Sequence, residues 1–299
     1  MKSSASHIPV LLDEIIELLQ PSPGDIVVDA TLGAGGHAQV LLERISPNGT
    51  LIGFDRDPDA IKVASQNLSS RKSNSLLVTV SSSFAVLGDQ LKSRGYRRVD
   101  AVLFDLGLSS LQLEAGRGFS FLESAPLDMR FDPKGDLTAE EIVNSYSKER
   151  LADILWQFGE ERASRRIAQA IYDERRQGRI TDTQALAEIV AVAKGGRRGK
   201  THPATQTFQA LRIAVNEELG EIARALPQAL DVLSPGGRLA VISFHSLEDR
   251  IVKNLFRNWA RAGEVRLMTK KPIVAERSEM LQNPRSRSAK LRVIEKIGE

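Results

Sequence analysis

The stretch Asp29-Ala-Thr-Leu-Gly-Ala-Gly-Gly-His37 sets a carboxylate and an imidazole on either side of a glycine run. A short apolar run, Ile26 to Ala30, leads into it, and a helical pattern through Val40, Leu41, Leu42 and Ile45 leads out. Strand, glycine turn, helix is the context in which doubly wound sheets bind phosphates or adenosine. Glycine permits the sharp turn and lets a ligand come close to the backbone. A second acid, Asp55, ends the next apolar run 20 residues after Gly35. A carboxylate placed there can accept both hydroxyls of a ribose. The plainer alternative is a structural turn and a loop aspartate. A nicotinamide site is built on Gly-x-Gly-x-x-Gly, with a pyrophosphate at the helix N-terminus. Here the run is Gly33-x-Gly35-Gly36 with Asp29 upstream. An acid at that position repels a pyrophosphate and suits a cationic amino-acid tail, which favours S-adenosylmethionine over NAD.

Two further groups of residues follow later runs. Asp105-Leu-Gly-Leu-Ser-Ser-Leu-Gln112 ends the apolar run Val99–Asp105 and offers a carboxylate, two hydroxyls and an amide. The carboxyl edge of such a sheet is where ligands and reacting atoms sit; a glycine-serine turn with a capping aspartate is the competing reading. Ser243-Phe-His-Ser-Leu-Glu-Asp-Arg250 follows the run Arg238–Phe244. Ser246 and Asp249 suggest a helix N-terminus there, and a lone His245 is more often structural than a proton carrier. Gly195-Gly-Arg-Arg-Gly-Lys-Thr201 imitates a P-loop. It is one residue short between its glycines and follows a helix pattern rather than a strand.

The elements that must hold these groups alternate along the first 110 residues. Apolar runs at 26–30, 51–55, 76–80 and 99–105 read as strands, and helical stripes lie between them. That alternation predicts a parallel sheet with crossover helices. From Gln112 to about Thr205 the strand signal stops. Leu151, Ile154, Leu155 and Phe158 recur at helical spacing, as do Leu186, Ile189, Val190 and Ala193. Thr138 with Glu141 and Thr181 with Gln184 have the form of capping boxes. The α/β pattern resumes with one long helix over about 206–233, a turn at Ser234-Pro-Gly-Gly237, a fifth strand, and candidate closing strands at 265–268 and 291–297. The predicted division is residues 1–111 with 206–299 as one discontinuous α/β domain, and 112–205 as an inserted helical domain suited to substrate recognition.

Composition narrows the classes. The chain has 299 residues, 41% of them hydrophobic, and a formal net charge of +3. That is enough apolar material for a sizeable core. The absence of cysteine excludes disulfides, thiolate zinc sites and a cysteine nucleophile, and with only four histidines an all-histidine metal cluster is improbable. There is no apolar leader at the N-terminus and no run of about 18 apolar residues, so a cytoplasmic location and no membrane contact are expected.

Several segments together resemble one family. They are His7-x-Pro-Val-Leu-Leu-Asp-Glu14, the Asp29–His37 loop, Phe54-Asp-Arg-Asp-Pro58, Asp105-Leu-Gly-x-Ser-Ser110 and Arg117-Gly-Phe-Ser-Phe121. Pro126-Leu-Asp-Met-Arg130, His202-Pro-Ala, Ser243–Arg250 and Arg285-Ser-Arg-Ser-Ala-Lys290 complete the set. The chain is similar, from His7 to about Lys296, to the bacterial ribosomal RNA small subunit methyltransferase H (MraW) family. The resemblance implies a class I, Rossmann-like methyltransferase sheet with an inserted all-helical subdomain. It implies S-adenosyl-L-methionine as cofactor, and N4-methylation of a cytidine in the decoding region of 16S rRNA, within the small ribosomal subunit. By motif position it implies cofactor contacts at Gly35, Gly36, His37, Asp55, Phe84, Asp105 and Gln112. Other amino-methyltransferases carry Asp/Asn-Pro-Pro-Tyr after the fourth strand. Asp105-Leu-Gly-Leu-Ser-Ser stands here instead, so Asp105, Ser109 and Ser110 are the candidate catalytic groups.

An RNA face is sought in the charges. Lys194, Arg197, Arg198 and Lys200 fall within seven residues, and the tail from Arg257 holds 11 Lys and Arg against 5 Asp and Glu, including Arg285, Arg287 and Lys290. Such patches neutralise phosphates; a solvated basic surface is the blander account. Two rival classes stay open on sequence alone: a nicotinamide-dependent oxidoreductase, and an RNA-binding protein that keeps the fold without the chemistry.

Overall fold

The structure is a computed structural model, and it describes residues 9–69, 73–196 and 202–298. The chain divides into two compact units, one of residues 1–109 with 219–299 and one of residues 110–218.

The first unit begins with α1 (Leu12–Leu19), β1 (Ile26–Asp29), α2 (Gly36–Arg44), β2 (Thr50–Asp55), α3 (Pro58–Ser69), β3 (Leu76–Ser81), α4 (Leu87–Ser93) and β4 (Val99–Asp105). The inserted unit carries α5 (Ser110–Glu114), α6 (Ala139–Ser145), α7 (Lys148–Gly159), α8 (Ser164–Glu174), α9 (Thr183–Ala193) and α10 (Thr205–Asn216). The first unit then resumes with α11 (Glu218–Val232), β5 (Leu233–Ser243), α12 (Ser246–Arg261), β6 (Val265–Leu267), α13 (Arg277–Gln282) and β7 (Lys290–Lys296).

Among the described residues seven strands form one sheet in the order β3-β2-β1-β4-β5-β7-β6. β1 pairs in parallel with both β2 and β4, so the strand order reverses between β1 and β4. β7 runs antiparallel between β5 and β6. The strands are apolar on both faces because helices cover both. Val28, Ile52, Phe54, Val102 and Phe104 pack toward α4, α11 and α12, through Leu87, Leu226 and Phe256. Their neighbours Val27, Leu51, Ala101 and Leu103 pack the other way, on Leu11, Ile15, Leu41 and Leu42 of the α1–α2 side. Continuous apolar runs of this kind are what a doubly covered parallel sheet requires. In the inserted unit α7 packs against α8 and α10, and α8 against α9, around Leu151, Leu155, Ile167, Ile171, Leu186, Val190, Phe208 and Leu211.

Several expectations from sequence need correction. The long helix over 206–233 is two helices, broken where Glu217 takes a left-handed conformation at φ 50°. α10 therefore belongs to the inserted unit, and the boundary falls at 218/219 rather than 205/206. The turn at 234–237 is absorbed into β5, which tolerates it through a register irregularity against β4 between Val99 and Ala101. Asp182, not Thr181, caps α9 by accepting from the Gln184 and Ala185 amides. His245, not Ser246, caps α12.

Candidate active site

The carboxyl ends of β1, β2 and β4 carry Asp29, Asp55 and Asp105, and the chain itself ties them together. Thr31, just beyond β1, accepts the Asp105 amide on Oγ1 at 2.6 Å. Asp29 Oδ1 accepts the Thr31 amide at 3.1 Å. Asp55 Oδ2 accepts the Gly33 amide at 2.9 Å, and its Oδ1 accepts the Asp57 amide at 2.9 Å. The glycine loop is thus moored to the end of β2. A carboxylate has about four lone-pair sites, so Asp55 keeps acceptor capacity for hydroxyls after making both bonds.

Gly35 is the N-cap of α2 in a left-handed conformation, φ 86°, and a Cβ there would meet Leu68 at 3.3 Å. Only glycine makes this turn without cost. Gly36 opens the helix, and a Cβ on it would stand 3.1 Å from Pro9. Ser109 lies against this loop: a Cβ at Gly33 would be 3.7 Å from that of Ser109. The turn after β4 and the turn after β1 therefore face each other at the switch point of the sheet, the crevice where open α/β sheets bind ligands.

Burial sets the electrostatics. Asp29 is 2% exposed, and loss of solvent pushes its carboxyl up to about 6, against the opposing pull of His37 and the Thr31 amide. Burial likewise raises Asp55 to about 6, offset by the Asp57 and Gly33 amides. Asp105 is raised by burial too, with His37 and Arg285 opposing the shift. His37 Nε2 lies 2.9 Å from the Val10 carbonyl, which can only accept, so that nitrogen carries a proton. Its Nδ1 faces Asp105 Oδ2 at 3.5 Å. The other oxygen, Asp105 Oδ1, is buried without a hydrogen-bond partner. An unpaired buried acceptor is costly, and it marks a place where a ligand's donor belongs.

Phe84 begins the turn after β3 and meets Phe104 of β4 edge-on, with ring centroids 5.5 Å apart. Gln112 is buried on α5 of the inserted unit, and Ser110 is the first residue of that helix. Arg197, Arg198 and Lys200 lie outside the described residues, as does His7. Lys194, grouped with them by sequence, is instead folded inward. Its ammonium bonds Glu161 at 2.5 Å and the Pro203 carbonyl at 3.1 Å. The basic tail divides as well: Arg287 is exposed, Lys290 stands 3.8 Å from Asp249, and Arg285 donates to the Leu108 carbonyl. His245 is a capping residue, Nδ1 accepting the Glu248 amide while the Glu248 carboxylate accepts the amides of Phe244 and His245.

Sequence reasoning missed two residues of this cluster. Thr31 sits inside the quoted loop, and its role required knowing that β4 lies beside β1. Sequence places Arg285 among the RNA-binding candidates, and its bond to the Leu108 carbonyl depends on a contact between segments far apart in the chain.

The fold and the site define a class of protein. A Rossmann-like sheet whose antiparallel β7 is inserted beside β5, with acids at the carboxyl ends of β1, β2 and β4, is the methyltransferase form of the doubly wound fold. The sequence profile of the MraW methylase family matches residues 4–297, and the chain belongs to that family. It is 46% identical over 310 residues to the ribosomal RNA small subunit methyltransferase H of Heliobacterium mobile, covering 97% of this chain and 99% of the relative. The protein of the same name from Dehalococcoides mccartyi is 48% identical, covering 97% of this chain and 86% of the relative. That of Geobacter sulfurreducens is 47% identical, covering 98% and 99%. Family and fold make the chain a methyltransferase that uses S-adenosylmethionine. The site fits that cofactor: three acids, Asp29 buried and Asp55 and Asp105 half-buried, favour a ligand bearing an ammonium and a sulfonium, and Asp105 Oδ1 awaits a donor.

Proposed function

We propose that this enzyme methylates the exocyclic N4 of a cytidine in the decoding region of 16S rRNA, acting in the cytoplasm on the small ribosomal subunit. The support is twofold: the relatives it matches over nearly their whole length are named for small-subunit ribosomal RNA, and the site has acceptors suited to an amino group. The observation that carries the reading is the buried, unpartnered Asp105 Oδ1 at the end of β4.

When bound, S-adenosylmethionine supplies an electrophilic methyl group. Asp55 would hold its ribose, the Gly35–Gly36 backbone would admit it closely, and His37, Phe84, Asp105 and Gln112 complete the proposed contacts. The remaining work falls to the chain. Cytosine N4 is a weak nucleophile because its lone pair is delocalised into the ring. An acceptor that takes hydrogen bonds from the amino group, and then its proton, localises that pair. Ser109 and Ser110 are proposed to accept hydrogen bonds from the amino group, with Ser109 seated against the glycine loop, and Asp105, the one carboxylate of the three, is proposed to take its proton as the methyl is transferred. The base must leave its stack to reach them. In-line placement against the methyl group contributes through proximity. The inserted helical unit is proposed to recognise the RNA.

The test is tritiated methyl transfer to small subunits that lack the modification, followed by nucleoside analysis. N4-methylcytidine is the expected product; label on any other nucleoside, or none, overturns the substrate assignment. The serine assignment stands or falls on Ser109→Ala and Ser110→Ala. At least one should lower the single-turnover rate about tenfold or more, and wild-type rates in both reject it.

A further inference from the structure

The segment Arg285-Ser-Arg-Ser-Ala-Lys290 reads from sequence as a basic phosphate-binding tail, but the structure separates its three cations. Arg287 is exposed, and Lys290 is drawn toward Asp249 at 3.8 Å. Arg285 alone turns toward the active-site edge. It lies in a 3₁₀ turn, Pro284–Ser288, that is rigidly built: Ser286 is fully buried, and both its amide and its hydroxyl donate to the Asn283 carbonyl, at 3.0 and 2.9 Å. The turn feeds directly into β7, whose Lys290 pairs in register with Ser243 of β5. The sheet therefore fixes where the Arg285 side chain starts.

From that anchor the guanidinium donates to the carbonyl of Leu108, in the turn Leu106–Ser109 that follows β4. It is also a countercharge of Asp105: burial weakens the Arg285 cation, and the Asp105 carboxylate supports it. One side chain thus holds the backbone of the segment that carries Ser109 and lends its charge to the Asp105 carboxylate.

We propose that Arg285 is a positioning residue for methyl transfer, fixing the turn after β4 through the Leu108 carbonyl and standing as the countercharge of Asp105. The inference rests on the reading of Asp105 and Ser109 as the acceptor side of the site, and it adds a residue 177 positions away in sequence from the backbone it holds. A guanidinium suits the task because it stays charged and presents several donors in a rigid plane.

The titratable groups facing Asp105 are His37 from α2, Arg285 from the 3₁₀ turn, Glu248 from α12 and Asp29 from the end of β1. Removing Arg285 leaves two carboxylates against one imidazole. Asp105 then ionises only at higher pH, because a neighbouring cation favours the charged form of a carboxylate.

The experiment is single-turnover methyl transfer by the full-length enzyme at saturating donor and saturating small subunits, from pH 5 to 9. It compares wild type with Arg285→Gln and Arg285→Lys. Glutamine keeps a donor for Leu108 but no charge; lysine keeps the charge without the planar fork. Arg285→Gln is expected to move the acidic limb of the rate profile up by about one pH unit. Arg285→Lys should keep the limb in place while lowering the plateau about tenfold, from lost geometry. Both limbs unmoved, with small-subunit affinity reduced and its salt dependence shallower, would make Arg285 a phosphate contact and overturn the proposal. Unmoved limbs with only a lower melting temperature would make it structural, and would equally overturn it. The outcome is separable from the identity of the methylated atom. Transfer by wild type to another position removes the N4 assignment, yet the limb shift can still be read on whatever transfer occurs.

Discussion

Asp29 shows a residue held at a cost to the fold. Burial raises its carboxyl to about 6, above its ordinary 3.8. An acid raised in the folded state favours the protonated form. Its contribution to stability is therefore fully present below about pH 3.8 and is lost as pH rises through about 6. An asparagine at this position would keep an oxygen for the Thr31 amide without the charge. Asp29→Asn should melt at least about 2 °C above the cofactor-free wild type at pH 7 and level with it at pH 4, by calorimetry. The same change should weaken binding of the cationic donor about tenfold, roughly 1.4 kcal/mol. In the wild type, donor affinity measured by titration calorimetry should rise from pH 5 to 7, because the cation selects ionised Asp29 and Asp55. The thioether product, one positive charge poorer, should show a shallower rise. Asp55→Asn turns an amide N–H toward either Gly33 or Asp57, both of which need an acceptor. Its donor affinity should fall about 10–100-fold, the worth of a charged hydrogen bond of roughly 1.5–3 kcal/mol. Unchanged affinity would remove Asp55 from the cofactor site.

At the scale of elements, the glycine loop is shaped by what packs beneath it. Gly53 is in the middle of β2, and a Cβ on it would stand 2.7 Å from Leu32, the residue that begins the turn into Gly33. Leu32 also bonds the Phe54 carbonyl through its amide at 2.8 Å. Gly53→Ala must displace Leu32 and with it the loop. We expect a loss of about 1–3 kcal/mol in stability, as overpacking costs, together with weaker donor binding. Full stability with intact binding would show that Leu32 can yield without moving the loop. The strands and most helices were legible because their signals are local. Apolar runs announced β1 to β4, and helical spacing announced α7 and α9. The break at Glu217 was not legible, since a left-handed non-glycine residue leaves no mark in apolar periodicity. The capping role of His245 escaped for a similar reason: Ser246 and Asp249 are the commoner capping types, and only the Glu248 carboxylate returning to the Phe244 and His245 amides decides between them.

At the scale of the whole molecule, charge and its disposition diverge. The tail's surplus of cations is partly engaged within its own unit. Arg292 is buried on Asp249 at 2.7 Å, Arg266 bonds Glu295, and Lys296 donates to the carbonyls of Leu230 and Leu233 at 2.9 Å. Phosphate binding is therefore proposed to fall more heavily on Arg197, Arg198, Lys200 and Arg287. Reversing Arg197 and Arg198 to Glu should weaken small-subunit RNA binding at least about tenfold and flatten its salt dependence, with donor affinity unchanged. Equal loss of both affinities would reject the assignment.

Residue types and spacing by themselves determined the alternation of strands and helices, the helical insertion, the glycine turn and the acid that ends β2, because each depends on neighbours a few positions away. Only the tertiary structure decided where the insertion ends and which cations are engaged inside the protein. It alone brought Thr31 to the amide of Asp105 and Arg285 to the turn carrying Ser109. Those outcomes depend on strand order and on contacts between segments far apart in the chain, and pairing energies of that kind leave no periodic trace in the sequence.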